Sequence, residues 1–425
     1  MALEHCLAAN GPAKAKEIYR HLGWSQPVFS RMIHQLGTRV LIAGQARATL
    51  YALKREVPHV GFEVPIHAID SSSRTIDWGR LWPVYPKGFY FESHRPSVES
   101  RYFDDLPYFL DDLRPSGFLG RLIPKHYPDM PFPEDIRHWS LNDILLYWTQ
   151  VGWDLIGNFI LGEKAYRLYL KNNSPRPAKT SYAKLAERIL ESGYGGSSAA
   201  GEQPKFLTTN ARGKSVLVKF SPPMTNKISR RLADLLICEH IAHQTLKKAG
   251  LPAMPSAIRK QGNRLFLEME RFDRTPLSGR LGLISLAPLS AEFVGTMESW
   301  SHSAQELVRQ NRIDPETGKQ IQWLEWFGKL IGNTDMHFGN ISLFMEDLHL
   351  AGLAPAYDML PMVYAPRHQQ FDSTPIDFPL PMPDETKIYI LAKKEAVHFW
   401  REVGRCKSIS REFRSIASKN LKGLT

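Results

Sequence analysis

Apolar and polar positions in the first sixty residues follow helical spacing and then form strand-like runs. Residues 13–22 predict a short helix that ends at Gly23, and Ser25 is placed to cap a second helix. Pro27 falls in the first turn of that helix, where its missing N–H costs nothing. The residues predicted to face the core recur every three or four positions and are Val28, Met32, Ile33 and Leu36. Two helices that meet at a tight turn are therefore expected.

The opposite face of the second helix is polar, and a hairpin is predicted after it. The polar side chains are Gln26, Ser30, Arg31, His34 and Gln35. Two β-prone runs, residues 39–44 and 48–55, flank a tip that contains Arg47. Helix, turn, helix and hairpin resemble the winged-helix domains of bacterial repressors, which implies DNA binding through these side chains. A small helical cap without affinity for DNA is the alternative for this module.

The segment that follows, up to about residue 180, is rich in aromatic residues and prolines. Alternating stretches such as residues 74–92 are typical of β-hairpins. Residues 101–124 predict a helix that leads into a turn at Pro115 and Gly117. Its carboxylates, in adjacent pairs that cap helices or face solvent more often than they hold a metal, are Asp104, Asp105, Asp111 and Asp112. The end of the segment predicts a flexible connector.

Positive charge is concentrated at the N-terminus. The 425 residues carry a formal net charge of +11, and residues 1–55 contain eight Lys and Arg against two Glu. A basic module of this size favours a polyanionic partner, most often nucleic acid, whereas a merely soluble basic surface would need no partner. The length exceeds what one hydrophobic core normally serves, so two or three domains are expected.

Neither a membrane span nor a disulfide framework is expected. No apolar run approaches the ~20 residues that a bilayer-spanning helix needs. The N-terminus lacks a basic start followed by a long apolar stretch, so a secretory signal is not expected and a cytoplasmic location is predicted. Cys6, Cys238 and Cys406 are too widely spaced to predict a zinc site or a disulfide framework.

Three features between residues 193 and 246 meet separate requirements of phosphoryl transfer. Residues 193–205 are small enough to let backbone N–H groups approach a phosphate, although an exposed linker would have a similar composition. Lys219 lies in a β-prone apolar run, where a lysine needs an anion. Glu239 lies within a helical apolar stripe formed by Leu232, Leu235, Leu236, Ala242, His243 and Leu246. Lys219 is its expected partner, and a partly solvated edge position is the alternative.

Two later segments carry the remaining chemistry. Asp335 and Asn340 lie five positions apart in a polar loop after an amphipathic helix, and Asp358 follows a further apolar segment. Phosphoryl transfer requires a carboxylate that orients the acceptor hydroxyl, together with an amide and a second carboxylate that hold magnesium. The order of these groups along the chain predicts an ATP-dependent phosphotransferase.

A two-lobed arrangement is expected around these groups. Residues 263–274 predict a strand that leaves the first lobe, with a hinge at Glu270, Arg271 and Phe272 whose backbone could face adenine. The C-terminal residues predict amphipathic helices whose Lys and Arg form a solvated face, and a second nucleic-acid site is the less favoured alternative. The predicted domains are a winged helix over 1–60, a β-rich subdomain over 61–180, a first kinase lobe over 181–275 and a mainly helical second lobe over 276–425.

The motifs that carry these groups resemble those of the HipA-type serine/threonine kinases, the toxins of bacterial persistence modules. They are SAAGEQPK, LVKF, LEMERFDR, NTDMHFGN and AYDML, in the family's order. The resemblance implies an α+β, protein-kinase-like two-lobed fold, with Asp335 as the catalytic base and Asn340 and Asp358 as magnesium ligands. The ATP-binding residues that it implies are Ala200, Gly201, Glu202, Gln203, Pro204, Lys205, Lys219, Glu270, Arg271, Phe272, His337, Phe338, Gly339, Asn340, Tyr357 and Asp358.

The resemblance also implies regulation and partners, with two departures. Ser198 matches the position at which family members autophosphorylate and inactivate themselves. Related kinases phosphorylate aminoacyl-tRNA synthetases and bind a separate HipB-type antitoxin. Gly339 stands where the family usually has a lysine, and residues 281–305 lack the family's acidic signature, so the substrate stays open.

The leading hypothesis is an ATP- and Mg²⁺-dependent protein serine/threonine kinase that arrests growth and carries its own DNA-binding module. One alternative is a DNA-binding regulator whose kinase-like core senses nucleotide without transferring phosphate. Another is a small-molecule phosphotransferase, because antibiotic kinases share the spacing of Asp335 and Asn340.

Overall fold

The computed structural model describes residues 2–44, 49–173, 180–191, 203–276, 278–367, 370 and 372–425. Packing divides the chain into two units, Met1–Arg114 with Arg137–Asn173 and Pro115–Ile136 with Ser174–Thr425. The predicted site residues that lie outside the described residues are Arg47, Ser198, Ala200, Gly201 and Glu202. Within the described part, every helix is too short or too polar to cross a bilayer.

The first unit begins with three helices and a three-stranded antiparallel sheet. The helices are α1 Ala2–Asn10, α2 Ala15–His21 and α3 Gln26–Leu36. The strands are β1 Ala13–Lys14, β2 Val40–Ala43 and β3 Leu50–Leu53, in the order β1-β3-β2. Helix α1 is additional to the predicted elements, and it contributes Leu3, Cys6 and Leu7 to the shared core.

The core face of α3 differs from the predicted one at its first position. Val28 is 38% exposed, so its predicted place in the core is wrong, and Phe29 is buried instead. Both residues fit helical spacing with those that follow, but the Phe29 ring packs edge-on against Tyr51, with 5.1 Å between centroids. The predicted polar face of α3 is fully outward, since Gln26, Ser30, Arg31, His34 and Gln35 are all exposed.

A five-stranded antiparallel sheet forms the rest of the first unit. Its strands are β4 Val64–Ile69, β5 Thr75–Pro83, β6 Phe89–Ser93, β7 Arg101–Phe103 and β8 Phe159–Leu161, in the order β7-β6-β5-β4-β8. The first unit also contains helices α5 Leu141–Gln150 and α6 Glu163–Asn172, which contact strand β8. Trp78 packs against Phe91 and Phe159 in its aromatic core, with centroids 5.0 and 4.5 Å away.

The helix predicted from residue 101 up to a turn at Pro115 and Gly117 is wrong except for a short 3₁₀ segment, and an α-helix begins where the turn was expected. Arg101–Phe103 is the edge strand β7, and a 3₁₀ helix follows at Tyr108–Leu113 before α4 Gly117–His126, which belongs to the second unit. Pro107 precedes the 3₁₀ helix and Pro115 follows it, so a continuous helix is interrupted at both places. Among the described residues, no three or more His, Cys, Asp or Glu side chains are grouped as metal ligands.

The second unit contains a four-stranded antiparallel sheet with a long helix. The strands are β9 Lys205–Thr209, β10 Ser215–Phe220, β11 Ser256–Gln261 and β12 Arg264–Glu270, in the order β11-β12-β10-β9. Helix α7 Tyr182–Glu191 packs on one face through Val216, Val218 and Phe220. Helix α8 Lys227–Lys248 packs against β10, β11 and β12, and Asn226 caps it by accepting from the Ser229 N–H at 2.9 Å.

The remainder of the second unit is mainly helical. Its helices are α9 Leu286–Leu289, α10 Trp300–Arg309, α11 Pro315–Ile331, α12 Thr386–Arg405 and α13 Arg411–Leu424. A small sheet is formed by β13 Gly282–Ser285, β14 Ser342–Glu346 and β15 His349–Leu353, in that order. Helix α11 is capped by Asp314 and ends at Gly332, whose φ of 77° suits glycine. The loop after Gly332 carries Asp335.

Candidate active site

A buried ion pair joins the sheet to helix α8. Lys219 Nζ donates to Glu239 Oε1 at 2.7 Å and to Oε2 at 2.8 Å. Lys219 is 4% exposed and Glu239 is fully buried. The alternation of β10 places Val218 and Phe220 under α7 and turns Lys219 to the face that α8 covers. The structure therefore places Glu239 beside Lys219 rather than at a solvated edge.

Asp358 is the second carboxylate on the same lysine. Lys219 Nζ also contacts Asp358 Oδ1, so one ammonium is held between two carboxylates from different segments. Asp358 has a φ of 53°, in the left-handed region that few residues other than glycine, asparagine and aspartate adopt. This backbone conformation directs the carboxylate to the lysine from a loop that follows β15.

The three charged groups, Lys219, Glu239 and Asp358, shift one another's pKa values. Burial disfavours the ammonium of Lys219, but Asp358 and Glu239 outweigh burial and raise the pKa of the lysine. Burial raises the pKa of Glu239, and Lys219 opposes that rise. For Asp358, burial would raise the pKa, yet Lys219 and then Lys205 hold it below its ordinary value. Lys205, which pairs with Lys219 across β9 and β10, is therefore part of the same electrostatic site.

Asn333 fastens the Asp335 loop to the Asp358 segment. Its Nδ2 donates to the Asp358 carbonyl at 3.0 Å, and its Oδ1 accepts from the Asp335 N–H at 3.1 Å. Asn340 Nδ2 donates to the Asp335 carbonyl at 2.7 Å. These bonds bring Asp335, Asn340 and Asp358 together. Asn333 was not predicted, although it stands two residues before Asp335 in the same polar loop.

The Asp335 side chain is exposed, whereas Asn340 is buried. Within the described part of the chain, no ion pair involves the Asp335 carboxylate. Asn340 donates through Nδ2, which leaves its Oδ1 as an acceptor, and Asp358 adds carboxylate oxygens. Amide and carboxylate oxygens are ligands that Mg²⁺ accepts, so these two residues fit a magnesium ion.

Tyr357 connects the loop to the hinge. Its hydroxyl donates to the Gly339 carbonyl at 2.7 Å and lies 2.8 Å from Ser342 Oγ. The Phe272 ring stacks on Tyr357 with 6.0 Å between centroids. His337 Nδ1 accepts from the Gly339 N–H at 3.1 Å, which fixes the 3₁₀ turn Phe338–Asn340. The predicted residues of the hinge and of this loop are therefore neighbours.

Two backbone N–H groups of the predicted hinge are already used in hydrogen bonds, which the sequence did not predict. The N–H groups of Glu270 and Arg271 donate to the carbonyls of Pro255 and Ser215, at 2.9 and 3.0 Å. They are already hydrogen-bonded and are not free donors for adenine. The Glu270 side chain pairs with Lys214 at 2.6 Å. The Arg271 guanidinium binds the Asp273 carboxylate.

The last residues of the predicted phosphate-binding loop, Gln203 to Lys205, lead into strand β9. Gln203 Nε2 donates to the Phe220 carbonyl, and the Pro204 carbonyl accepts from the Phe220 N–H at 3.0 Å. These bonds join the end of the loop to the strand that carries Lys219. The C-terminal end of the loop is therefore fixed next to the strand that carries Lys219.

A buried histidine lies behind the ion pair and was predicted only as part of the apolar stripe. His240 and His243 of α8 both contact Ser256 Oγ through Nδ1, at 2.9 and 3.1 Å. His243 Nε2 is buried without a hydrogen-bond partner in the described part of the chain. Burial, reinforced by Lys219, lowers the pKa of His243 to about 3. His243 is therefore neutral near pH 7.

The chain belongs to the HipA-like toxin family, because two family models match most of it and a curated relative aligns along nearly its whole length. Its residues 60–170 match the family model described as the YjjJ-like toxin middle domain, and residues 197–420 match the HipA-like C-terminal domain. A curated relative, Toxin YjjJ of Escherichia coli (strain K12), is 36% identical over 97% of this chain and 95% of the relative.

One solved structure shares this fold, and a second has a lower similarity. A HipA of Shewanella oneidensis MR-1, solved in a complex with HipB and its operator DNA, covers 84% of this chain and 95% of its own, with a TM-score of 0.53 and 17% identity. The proinflammatory kinase CtkA of Helicobacter pylori covers 52% of this chain and 91% of its own, with a TM-score of 0.37 and 14% identity. The first of these confirms the predicted HipA-type, kinase-like fold.

Proposed function

We propose that this chain is an ATP- and Mg²⁺-dependent protein serine/threonine kinase that arrests growth and carries its own DNA-binding module. One observation supports it above the others. A buried Lys219 is held by Glu239 and Asp358, and Asn333 ties the Asp335 loop to the same Asp358. A lysine, a helix carboxylate and two loop segments in this relation are what kinase-like phosphoryl transfer uses.

In the proposed mechanism each residue has one role. Lys219, held by Glu239, would bind the phosphates of ATP, together with the end of the loop at Gln203, Pro204 and Lys205. Asn340 and Asp358 would hold Mg²⁺, which when bound neutralises charge on the phosphate oxygens. Asp335 orients the acceptor hydroxyl and takes its proton as the new O–P bond forms and the bond to ADP breaks.

Asp335→Ala tests the transfer step. With γ-labelled ATP and the purified full chain, we expect label on the wild-type protein, including at Ser198, and its loss in Asp335→Ala with ATP binding kept. Asp384→Ala, which removes another exposed carboxylate, is the matched control and should leave labelling unchanged. Undiminished labelling of Asp335→Ala would remove this residue from the mechanism.

Lys219→Met tests the binding of ATP. We expect ATP affinity to fall at least about tenfold. Without Lys219 the phosphates lose a cation, and the carboxylates of Asp358 and the fully buried Glu239 lose their shared partner. Lys260→Met removes an exposed lysine of β11 in the same sheet and should bind ATP as the wild type does. ATP binding by the wild type without any transfer would favour the alternative of a nucleotide-sensing DNA-binding regulator.

The charge of the N-terminal elements and the complex of a structural relative suggest the partners of the chain. The basic N-terminal elements, with α3 as recognition helix and β2 and β3 as the wing, would form a winged helix that binds DNA. The Shewanella HipA was solved with HipB and operator DNA, which supports a HipB-type antitoxin as a partner here. A protein that uses ATP and binds DNA would work in the cytoplasm, and we propose that location. The substrate is proposed to be a protein hydroxyl, with an aminoacyl-tRNA synthetase as the first candidate.

A phosphoproteome comparison identifies the substrate. Cells that express the wild type are compared with cells that express Asp335→Ala, and phosphosites present only with the wild type are the candidates. Growth arrest by the wild type and normal growth with the variant are expected. Arrest by both would separate toxicity from phosphoryl transfer.

A further inference from the structure

Basic and apolar side chains share a groove on the outer side of α12. The groove has a volume of about 610 Å³, and its lining includes Lys248 of α8 and, on α12, Ile390, Val397, Lys393, Lys394 and Arg401. Its acidic residue, Glu395, is mostly buried at the side chain and lies 4.0 Å from Lys394. We refer to this feature as the basic groove. Cations therefore dominate its charge.

Three of the four Lys and Arg side chains that line the basic groove have no carboxylate partner within the described part of the chain. No ion pair there involves Lys248, Lys393 or Arg401. Lys248 and Arg401 are exposed and Lys393 is half-buried. Like charges that share one concave surface repel each other and raise the local concentration of an anionic partner. The groove is therefore electrostatically complementary to an acidic ligand.

Large apolar side chains are exposed on α12 and on the segment before it. Ile390 and Leu391 are each 58% exposed, and Leu380 and Met382, on the segment before α12, are 83% and 65% exposed. Single exposed apolar residues are ordinary, but these four fall within residues 380–391, and Ile390 lines the groove itself. A solvated face, which the sequence predicts here, does not account for them.

We propose that the basic groove docks an acidic segment of a partner protein that also carries aliphatic side chains. Carboxylates of that segment would pair with Lys393 and Arg401, and an aliphatic side chain would pack on Ile390 and Val397. A bilayer is flat and does not fill a concave groove. Single-stranded nucleic acid is bound through exposed aromatic side chains as well as cations, whereas the described lining of the groove contains no Phe, Tyr or Trp.

Binding of defined peptides to the full chain tests the proposal, and it needs no phosphoryl transfer, so its outcome is separate from that of the proposed function. The probes are a fluorescein-labelled helical peptide of glutamate and leucine, the same peptide with serine for leucine, and the same peptide with lysine for glutamate. Fluorescence anisotropy is expected to rank their affinities in that order. Lys393→Glu with Arg401→Glu should weaken the glutamate and leucine peptide about tenfold or more.

Two further variants make the result specific. Ile390→Ser should reduce the affinity for the glutamate and leucine peptide to that of the serine peptide, and leave the serine peptide unchanged. Lys407→Glu with Lys422→Glu makes the same change of net charge on exposed residues outside the groove and should bind as the wild type does. Thermal unfolding followed by circular dichroism checks the fold of each variant, and Lys393→Ala replaces the double variant if that one does not fold.

Three results would overturn the proposal. One is failure of the glutamate and leucine peptide to bind the wild type, and another is equal affinity in the groove and control variants. The third is that the groove variants lose affinity for tRNA or for phosphatidylserine vesicles rather than for the peptide.

Discussion

Asn333 links the two segments that carry the candidate catalytic groups. Its side-chain amide bonds the Asp335 N–H and the Asp358 carbonyl, at 3.1 and 3.0 Å, and the residue is buried. A buried amide that loses one partner leaves another polar group unsatisfied, at about 1–3 kcal/mol. The relative position of Asp335 and Asp358 therefore depends on this residue.

Asn333→Ala is expected to slow transfer more than it weakens ATP binding. The loop loses its two fixed hydrogen bonds, so the rate of autophosphorylation should fall about 10- to 100-fold while ATP affinity changes little. Initial rates with labelled ATP and an equilibrium binding measurement separate the two. Asn263→Ala, at an exposed asparagine between β11 and β12, is the control. An unchanged rate in Asn333→Ala would show that the loop is held by other contacts.

His243 should make the protein sensitive to acid. Its pKa in the folded state is lowered to about 3, first by burial and then by Lys219 and His240, with Asp358 opposing them. An unfolded histidine binds a proton near pH 6.5, so folded stability falls as the pH drops below that value. Between pH 7 and pH 5 this one residue is expected to cost about 2 kcal/mol.

Urea denaturation at pH 7 and pH 5 measures this effect. Between pH 7 and pH 5 the free energy of unfolding of His243→Gln should fall by about 2 kcal/mol less than that of the wild type. The reason is that residue 243 of the variant binds no proton on unfolding. His349→Gln, at an exposed position in β15, should lose as much as the wild type does. Equal losses in wild type and His243→Gln would mean that His243 is protonated in the folded state.

At the residue scale, the sequence predicted charged groups better than the neutral groups that position them. Lys219, Glu239 and Asp358 stand out because a charge within an apolar pattern needs a partner. Asn333 does not stand out, since its role depends on the backbone of the loop that surrounds it. The hydrogen-bonded amides of Glu270 and Arg271 were also beyond prediction, because they pair with residues distant in sequence.

At the scale of elements, helices α8 and α13 meet at a buried carboxylate. Asp234 of α8 accepts from the Ser410 N–H at 3.0 Å and from Ser410 Oγ at 2.5 Å. Ser410 also caps α13 by accepting from the Phe413 N–H at 3.2 Å. Burial raises the pKa of Asp234, and the bonds from Ser410 oppose that rise. One hydroxyl therefore serves both helices.

Ser410→Ala is expected to destabilise the fold by about 2–3 kcal/mol. It removes a helix cap and leaves a buried carboxylate with one bond fewer, and both effects act in the same direction. Thermal unfolding followed by circular dichroism measures the loss. Ser418→Ala, at an exposed serine of α13, should change stability by less than about 0.5 kcal/mol. Similar values for the two variants would show that the Ser410 hydroxyl adds nothing beyond helix propensity.

The sequence pattern predicted long helices and strands with clear end signals correctly, and it failed for short ones. Helix α11 has Asp314 and Pro315 at its start and Gly332 after its end, which are strong local signals. The β5 and β6 hairpin follows the alternation of its aromatic residues. Residues 101–113 look helical by spacing, yet pairing with β6 makes the first part a strand. Tertiary pairing overrode the local pattern there.

At the scale of the whole molecule, the basic N-terminal module predicts electrostatic binding to DNA. Arg31→Ala should weaken binding to a mixed-sequence duplex about threefold or more and lower the slope of log affinity against log salt by about 1, because one phosphate contact is lost. A titration at several salt concentrations measures both. Arg74→Ala removes one charge from an 81% exposed side chain elsewhere in the first unit and is the control.

This DNA prediction is independent of the candidate active site. Asp335→Ala should bind the duplex as the wild type does, which shows that the purified variant is folded in its N-terminal part. If Arg31→Ala and Arg74→Ala give the same affinity and slope, α3 is not the element that contacts the phosphates. The division of the chain into four domains stays a prediction until fragments are tested.

The left-handed backbone at Asp358 determines which replacement of this residue is informative. Alanine at a φ of 53° would be strained by about 1–2 kcal/mol, so Asp358→Ala alters the shape of the loop as well as its charge. Asparagine tolerates this conformation and has nearly the same outline as aspartate. Asp358→Asn is therefore the replacement that isolates the loss of a negative charge, and it is the suitable reagent for trapping a partner on an otherwise unaltered surface.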